Sequence, residues 1–357
     1  MSWEVAERVA SWVGSGRPPF GKGSTPLDGA TRAKLETDFA EATSRAEALV
    51  VEATGLRPGT GPAQARVVDR AGWVGNNLNS FRHLLDPVLS QLDTGSMPGS
   101  LQSAARAATG AQLGVVLGWM STRVLGQYDL LLAEGDAGDV VTYVGPNIVA
   151  LERAHGFPPE QFRLWIALHE VTHRCQFSGV PWLHGYFLSL VDEGIRGMTP
   201  DPRRFAEALR RAATSIRGGK NPLDDAGILG LVAPPEQLAV LRRIQALMSL
   251  LEGHGDITMD RAGAGVVNEA NWFARTLRER RKKASPPARL LQQLTGIEAK
   301  LRQYQQGERF IEAVEAAGGP ELFARVWDGP DQLPTLEEIR EPGDWVTRMG
   351  LASLAAG

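Results

Sequence analysis

Cysteine is nearly absent from this chain of 357 residues, with Cys175 its single copy. That excludes an internal disulfide and fits a reducing compartment. Long apolar runs are missing as well. The most apolar segment, around 107–121, is interrupted by Gln112, Gly114, Gly118 and Ser121. It is too short and too broken to span a bilayer, and reads as a buried helix whose small residues allow close packing. Glu4 and Glu7 fall early in a start that has no apolar stretch, which argues against a signal peptide. A cytoplasmic location is therefore expected. Neither sign of charge is in excess, with a formal net charge of −3, so nothing points to nucleic acid or to an anionic membrane surface. Repeats and low-complexity tracts are also lacking. What remains is ordinary globular composition, 43% hydrophobic, sufficient for one large domain or two.

Helical signals dominate. Residues 1–63 read as an entry module: a short helix with Trp3 and Trp12, a Gly-Ser-Gly-Arg-Pro-Pro breaker, then an amphipathic helix over about 28–54. Residues 64–357 read as the main domain. It opens with a helix over 64–93, whose apolar positions Val68, Trp73, Leu78, Phe81, Leu84 and Leu85 recur at helical spacing, and continues with a small-residue helix over 99–124. Residues 139–144, Asp-Val-Val-Thr-Tyr-Val, are the best strand candidate, and Asn147 is placed to cap a short helix to about His155. Pro158-Pro159 then opens a central helix. Further helices are expected from Trp182 to about Gly194 and over 202–216, 236–260, 267–284, 286–294 and 297–317, with short pieces to 350. The long loop over 217–235 is a candidate lid. The fold class is mainly α, with a minimal β element before the central helix.

That central helix carries the chemistry. It contains His169-Glu170-Val171-Thr172-His173, an H-E-x-x-H sequence inside an apolar run. On a helix the two histidines lie one turn apart on one face, so their imidazoles converge on one point. Glu170 is rotated by about 100° from His169, near enough to act on a water at that point without ligating the metal. Two nitrogen ligands, a base and an open position are what a zinc hydrolase needs. A chance match on an ordinary core helix is the plain alternative. Phe162, Trp165, Ile166 and Leu168 precede the motif, so the helix is expected to be deeply buried, and buried histidines and glutamate need partners. Cys175, two residues on, reads as a small apolar filler rather than a nucleophile.

The third ligand has two candidates. Glu193 lies at the end of a helix beside a glycine, where an exposed carboxylate is the plain reading. Glu252 lies in Ile-Gln-Ala-Leu-Met-Ser-Leu-Leu-Glu-Gly-His-Gly-Asp, where an unpaired carboxylate would be costly. Asp256 is one turn further on the same face, giving the E-x-x-x-D pattern of gluzincins, in which the aspartate orients a ligand histidine. Glu252 is therefore favoured over Glu193. His254 points away from Glu252 and reads either as a cleft residue stabilising an oxyanion or as a core or surface histidine.

With these residues in view, the chain resembles the zincin-like hydrolases of actinobacteria associated, by gene neighbourhood, with deazaflavin-coenzyme biosynthesis. The resemblance covers about residues 60–350. It is carried by Val-Asp-Arg-Ala-Gly-Trp-Val with Phe-Arg-His-Leu-Leu-Asp-Pro (68–87), Ala-Leu-His-Glu-Val-Thr-His-Arg-Cys-Gln-Phe (167–177) followed by Val-Pro-Trp-Leu, Ser-Leu-Leu-Glu-Gly-His (249–254) with Met259-Asp260, and Lys-Leu-Arg-Gln-Tyr-Gln-Gln-Gly-Glu-Arg-Phe (300–310). It implies a largely helical zincin-like fold and zinc-dependent hydrolysis. Its ligands map onto His169 and His173, its base onto Glu170, and its Leu-Glu-Gly-His block onto Glu252 and His254. A strand just upstream of the metal helix suits the zincin arrangement, in which an edge strand lines the cleft. After Pro-Trp-Leu, where a more charged segment is expected, this chain has His184-Gly185.

The expectation is a zinc-dependent metallopeptidase or amide hydrolase acting on a peptide or amide substrate, with no nucleic-acid or membrane partner. The competing expectation is a catalytically silent zincin-derived binding or scaffold protein that keeps the metal for stability.

Overall fold

A computed structural model of the protein describes residues 1–15, 26–91, 99–129, 139–196, 235–282 and 297–356. It is mainly helical. The chain divides into two compact units, Met1–Gly179 with Thr258–Leu291, and Val180–Ile257 with Gln292–Gly357. The helix expected over 202–216, the loop over 217–235 except Pro235, and the helix over 286–294 lie outside the described residues. Among the described residues, no helix is long and apolar enough to cross a membrane.

The first unit runs α1 (Trp3–Gly14), α2 (Gly29–Thr54), β1 (Gln64–Val68), α3 (Arg70–Gln91), α4 (Gly99–Ser121), β2 (Gly126–Tyr128), β3 (Val140–Val144), α5 (Gly145–His155) and α6 (Pro159–Gly179). Asp28 starts α2 by accepting the Thr31 backbone N–H at 2.7 Å, which satisfies one of the free donors at a helix N-terminus. Helices α1 and α4 pack backbone to backbone, as the small residues of 107–121 suggested. A Cβ on Gly114 or Gly118 would come within 2.5 Å of the Ala6 or Ala10 carbonyl oxygen.

Two local readings need correction. Residues 64–68 are a strand, and only 70–91 are helical. Gln64–Val68 alternates in exposure and Asp69 accepts the Gly72 N–H at 2.7 Å, so the helix starts after Asp69 rather than before it. Asn147 lies inside α5, not at its cap. Its amide donates to the Ser121 and Val124 carbonyls at 2.8 and 2.7 Å and accepts from Arg70, so it ties α5 to the end of α4.

The sheet order is β1-β3-β2. β3, the strand anticipated over 139–144, is central: it pairs in parallel with β1 (Val67 opposite Tyr143) and antiparallel with β2 (Gly126 opposite Tyr143). The edge strand beside Glu170 is therefore the three-residue β2, too short to read from sequence. Tyr143 stacks on Phe39 of α2 at 3.9 Å between ring centroids and its hydroxyl pairs with Thr43 at 2.7 Å. Around them Leu35, Val141, Ile148, Phe162, Leu168 and Val171 form one buried core. At the start of α6, Phe157 meets Trp272 and Phe273 edge to face, as Phe162 does Phe273, and Phe157 and Phe162 pack tilted at 50°.

The second unit contains α7 (Leu183–Arg196), most of α8 (Pro235–Gly263), α10 (Ile297–Ala324), α11 (Leu336–Arg340) and α12 (Pro342–Ala356); α9 (Ala270–Lys282) and the last turns of α8 belong to the first. Leu250, Phe310, Ile311, Val314 and Trp345 form its core. Helices α8 and α10 cross in backbone contact at Gly253 and Gly307. A methyl group at Gly253 would sit 2.5 Å from the Glu308 nitrogen.

Candidate metal centre

Helix α6 buries thirteen of its residues, which fixes how its remaining side chains can point. His169 and His173 lie one turn apart on its half-exposed face. Their Nε2 atoms face each other at 3.3 Å, with the ring planes nearly perpendicular at 86°. Two nitrogens bound tetrahedrally to one zinc at about 2.0–2.1 Å stand about 3.3 Å apart. The pair thus already has the separation the ion requires. The other ring nitrogen of His173, Nδ1, is 3.0 Å from the side-chain oxygen of Gln176, a fully buried residue one turn on.

Glu170 is buried beside β2. The Gly126 backbone lies so close that a Cβ there would be 2.6 Å from Glu170 Cγ and 2.9 Å from its Oε1. Gly126 does not have a left-handed φ, so the strand conformation itself would accept any residue. What requires glycine is the carboxylate. β2 is held in place by Gln127, which exchanges two amide hydrogen bonds with Asn77 of α3 at 3.2 Å, and by Tyr128, whose hydroxyl pairs with Ser178 of α6 at 3.0 Å.

Next to His173, Arg174 is completely buried. It donates to Asp139 at 2.7 Å, to Glu47 of α2 at 2.6 Å and to the Gly61 carbonyl. Cys175 is buried too, and burial pushes its thiol up to about 12. Such a thiol stays protonated at neutral pH and is no nucleophile, in line with the filler role expected of it.

Within the second unit, α8 holds Glu252 in a stretch where Leu247, Leu250 and Leu251 are buried, and the glutamate is buried with them. His254 is stacked on Phe323 with centroids 5.7 Å apart and meets the edge of Trp327 at 5.2 Å, so its ring is built into an aromatic cluster. Asp256 is half-buried one turn beyond Glu252. Glu193, at the exposed end of α7, receives a 2.6 Å hydrogen bond from Arg243. Of the expected ligands, His169 and His173 belong to the first unit and Glu252 to the second.

Compared with known families, residues 1–346 match the model of the zincin-like metallopeptidases. The chain belongs to this family. A crystal structure of a protein from Chloroflexus aurantiacus, described as a candidate hydrolase with a novel fold, is similar to this zincin-like protein at 31% sequence identity. The TM-score is 0.70, over 98% of this chain and 99% of that one. No curated protein matches the sequence. The family implies zinc, and the facing imidazoles of His169 and His173 are donors that zinc accepts.

Two residues at this centre escaped the sequence. Gln176 is a neutral amide in an apolar stretch, and only its i, i+3 spacing from His173 gave a signal. Gly126 lies far from Glu170 in sequence within a strand too short to recognise, and carried none.

Proposed function

We propose that this zincin-like protein hydrolyses peptide or amide bonds with a zinc ion held by His169, His173 and Glu252. The observation that carries the reading is the 3.3 Å approach of the two Nε2 atoms; the third ligand we assign is Glu252, a carboxylate buried among leucines on α8. When bound, zinc supplies Lewis-acid chemistry, lowering the pKa of a water and polarising a carbonyl oxygen. Glu170 is the general base. It takes the proton of the attacking water and passes it to the leaving amine, so one carboxylate serves both halves of the reaction. Its burial against the β2 backbone narrows the positions it can occupy. β2 has no further strand beside it among the described residues, and an extended peptide could pair with that edge, which favours a peptide over a compact amide. His254, enclosed by Phe323 and Trp327, takes no proton in this scheme.

The test combines metal analysis with turnover. Purified protein should carry one zinc per chain, and Glu170→Gln should keep that zinc while losing about 10²–10⁴-fold in cleavage of a peptide library. Absence of stoichiometric zinc would overturn the reading. So would cleavage that survives Glu170→Gln, or zinc that raises the melting temperature of a protein with no turnover at all, which is the behaviour of a scaffold.

A further inference from the structure

We infer that Gln176 is the positioning residue that makes His173 a metal ligand, selecting its tautomer with an uncharged acceptor. The inference rests on the zinc-site reading above. His173 Nε2 and His169 Nε2 are 3.3 Å apart, which leaves room for at most one proton between them. A ring nitrogen that carries a proton cannot bind a metal. The proton of neutral His173 must therefore reside on Nδ1, and Nδ1 lies 3.0 Å from the Gln176 side-chain oxygen. With that oxygen accepting Nδ1–H, the Nε2 lone pair is left facing the same point as that of His169. Gln176 is fully buried and belongs to the same helix as the ligand, so the acceptor moves with the ring it orients. No flexible loop intervenes.

The chemical identity of the acceptor matters as much as its position. A carboxylate in this place would fix the same tautomer while adding negative charge and raising the basicity of the imidazole. An amide fixes the tautomer alone. The sequence pattern pointed to Asp256 as the group orienting a ligand histidine; the geometry gives that task, for His173, to a neutral side chain three residues away.

The experiment uses the full chain in three forms: wild type, Gln176→Met and Gln176→Glu. Zinc affinity is measured by competition with a chelator, and the tautomer of His173 by long-range ¹H–¹⁵N correlation spectra of the zinc-free protein. Thermal unfolding of the zinc-free forms verifies folding. Wild type should show the proton on Nδ1. Gln176→Met, which removes the acceptor at similar volume, should weaken zinc binding by about 10–100-fold and lose the tautomer preference. Gln176→Glu should keep the tautomer and bind zinc at least as tightly as wild type. A wild-type spectrum with the proton on Nε2 overturns the inference, as does a folded Gln176→Met that binds zinc like wild type. Should Gln176→Met fail to fold, the wild-type spectrum and Gln176→Glu decide. A wild type that takes up no zinc sinks the proposed function, whereas the tautomer spectrum still passes judgement on Gln176.

Discussion

Replacing Arg174 with methionine isolates the polar clamp that adjoins His173. The guanidinium is fully buried, and its partners Asp139 and Glu47 are themselves only 18% and 21% exposed. Methionine fills similar volume, so the perturbation is the loss of charge and of three hydrogen bonds rather than a cavity. Removing one partner of a buried pair costs about 3–5 kcal/mol, because the remaining charge stays buried without compensation. Here two carboxylates lose their cation. Among the described residues, Asp139 keeps the Ser178 hydroxyl at 3.5 Å, and its second oxygen is buried without a hydrogen bond already. Both carboxylates retain some contact with water, which places the expected cost near the lower end, about 3 kcal/mol. At about 2–4 °C per kcal/mol for a unit of some two hundred residues, the melting temperature should fall by about 6–12 °C. Thermal and urea unfolding at pH 7 measure it. Arg243→Met is the comparison, since its Glu193 pair is half-exposed on both sides and should matter by at most about 1 kcal/mol. Adding Glu47→Gln and Asp139→Asn to Arg174→Met should recover part of the loss. Equal costs for the two arginine variants would refute the reasoning, and so would a triple variant less stable than the single one.

Other perturbations follow from the same geometry. Gly126→Ala puts a methyl group 2.6 Å from Glu170 Cγ, well inside van der Waals contact, so the carboxylate must shift by roughly 1 Å; peptide cleavage should drop about 10²-fold with zinc content unchanged. Turnover within threefold of wild type would show that the base does not depend on that contact. For Glu338, burial pushes the carboxyl up, but hydrogen bonds from Arg348 and from the Thr335 N–H outweigh it and hold it below its ordinary value. A carboxyl lowered in the folded state stabilises above its unfolded pKa of about 4.3, and that contribution disappears as pH falls through the folded value. Glu338→Gln should therefore lower the urea midpoint at pH 7 and flatten its decline below about pH 4; an unchanged acid limb would remove the Arg348 pair from the account.

Legibility from sequence followed the range over which each signal acts. α6 and its motif were readable because helix periodicity, the proline start and the two histidines all lie within about twenty residues. β3 was readable because Val140–Val144 is apolar and bounded by breakers. β1 was not. Val68 falls in step with the apolar positions of α3, so a strand that ends at Asp69 looks like the first turn of the helix that begins at Arg70. β2 has three residues and only its pairing with Tyr143, Thr142 and Val141 defines it. Glu252 stood out because a carboxylate in a run of buried leucines is costly, a signal any sequence displays. Gln176 and Gly126 gave no such warning: one is neutral, and the other acts through the side chain it lacks.

The same logic explains why α6 holds two buried arginines on either side of the H-E-x-x-H segment. Arg163 forms a two-pronged pair with Glu152 of α5 and also reaches Asp38 of α2. Arg174 reaches Glu47, nine residues further along α2. The H-E-x-x-H segment lies between these two attachments, so α2 grips the helix on either side of the two histidines. Apolar packing alone resists separation of two helices but resists rotation about their axes far less, since leucine and valine contacts are nondirectional. Charged hydrogen bonds are directional and fix the angle at which each face is presented. A rotation of α6 by one residue's worth, about 100°, would carry Glu170 away from β2 and turn both imidazoles off the half-exposed face. Buried ion pairs add little net stability. Their value here is that they leave α6 a single azimuth, the one at which Glu170 meets β2 and His169 and His173 occupy the half-exposed face.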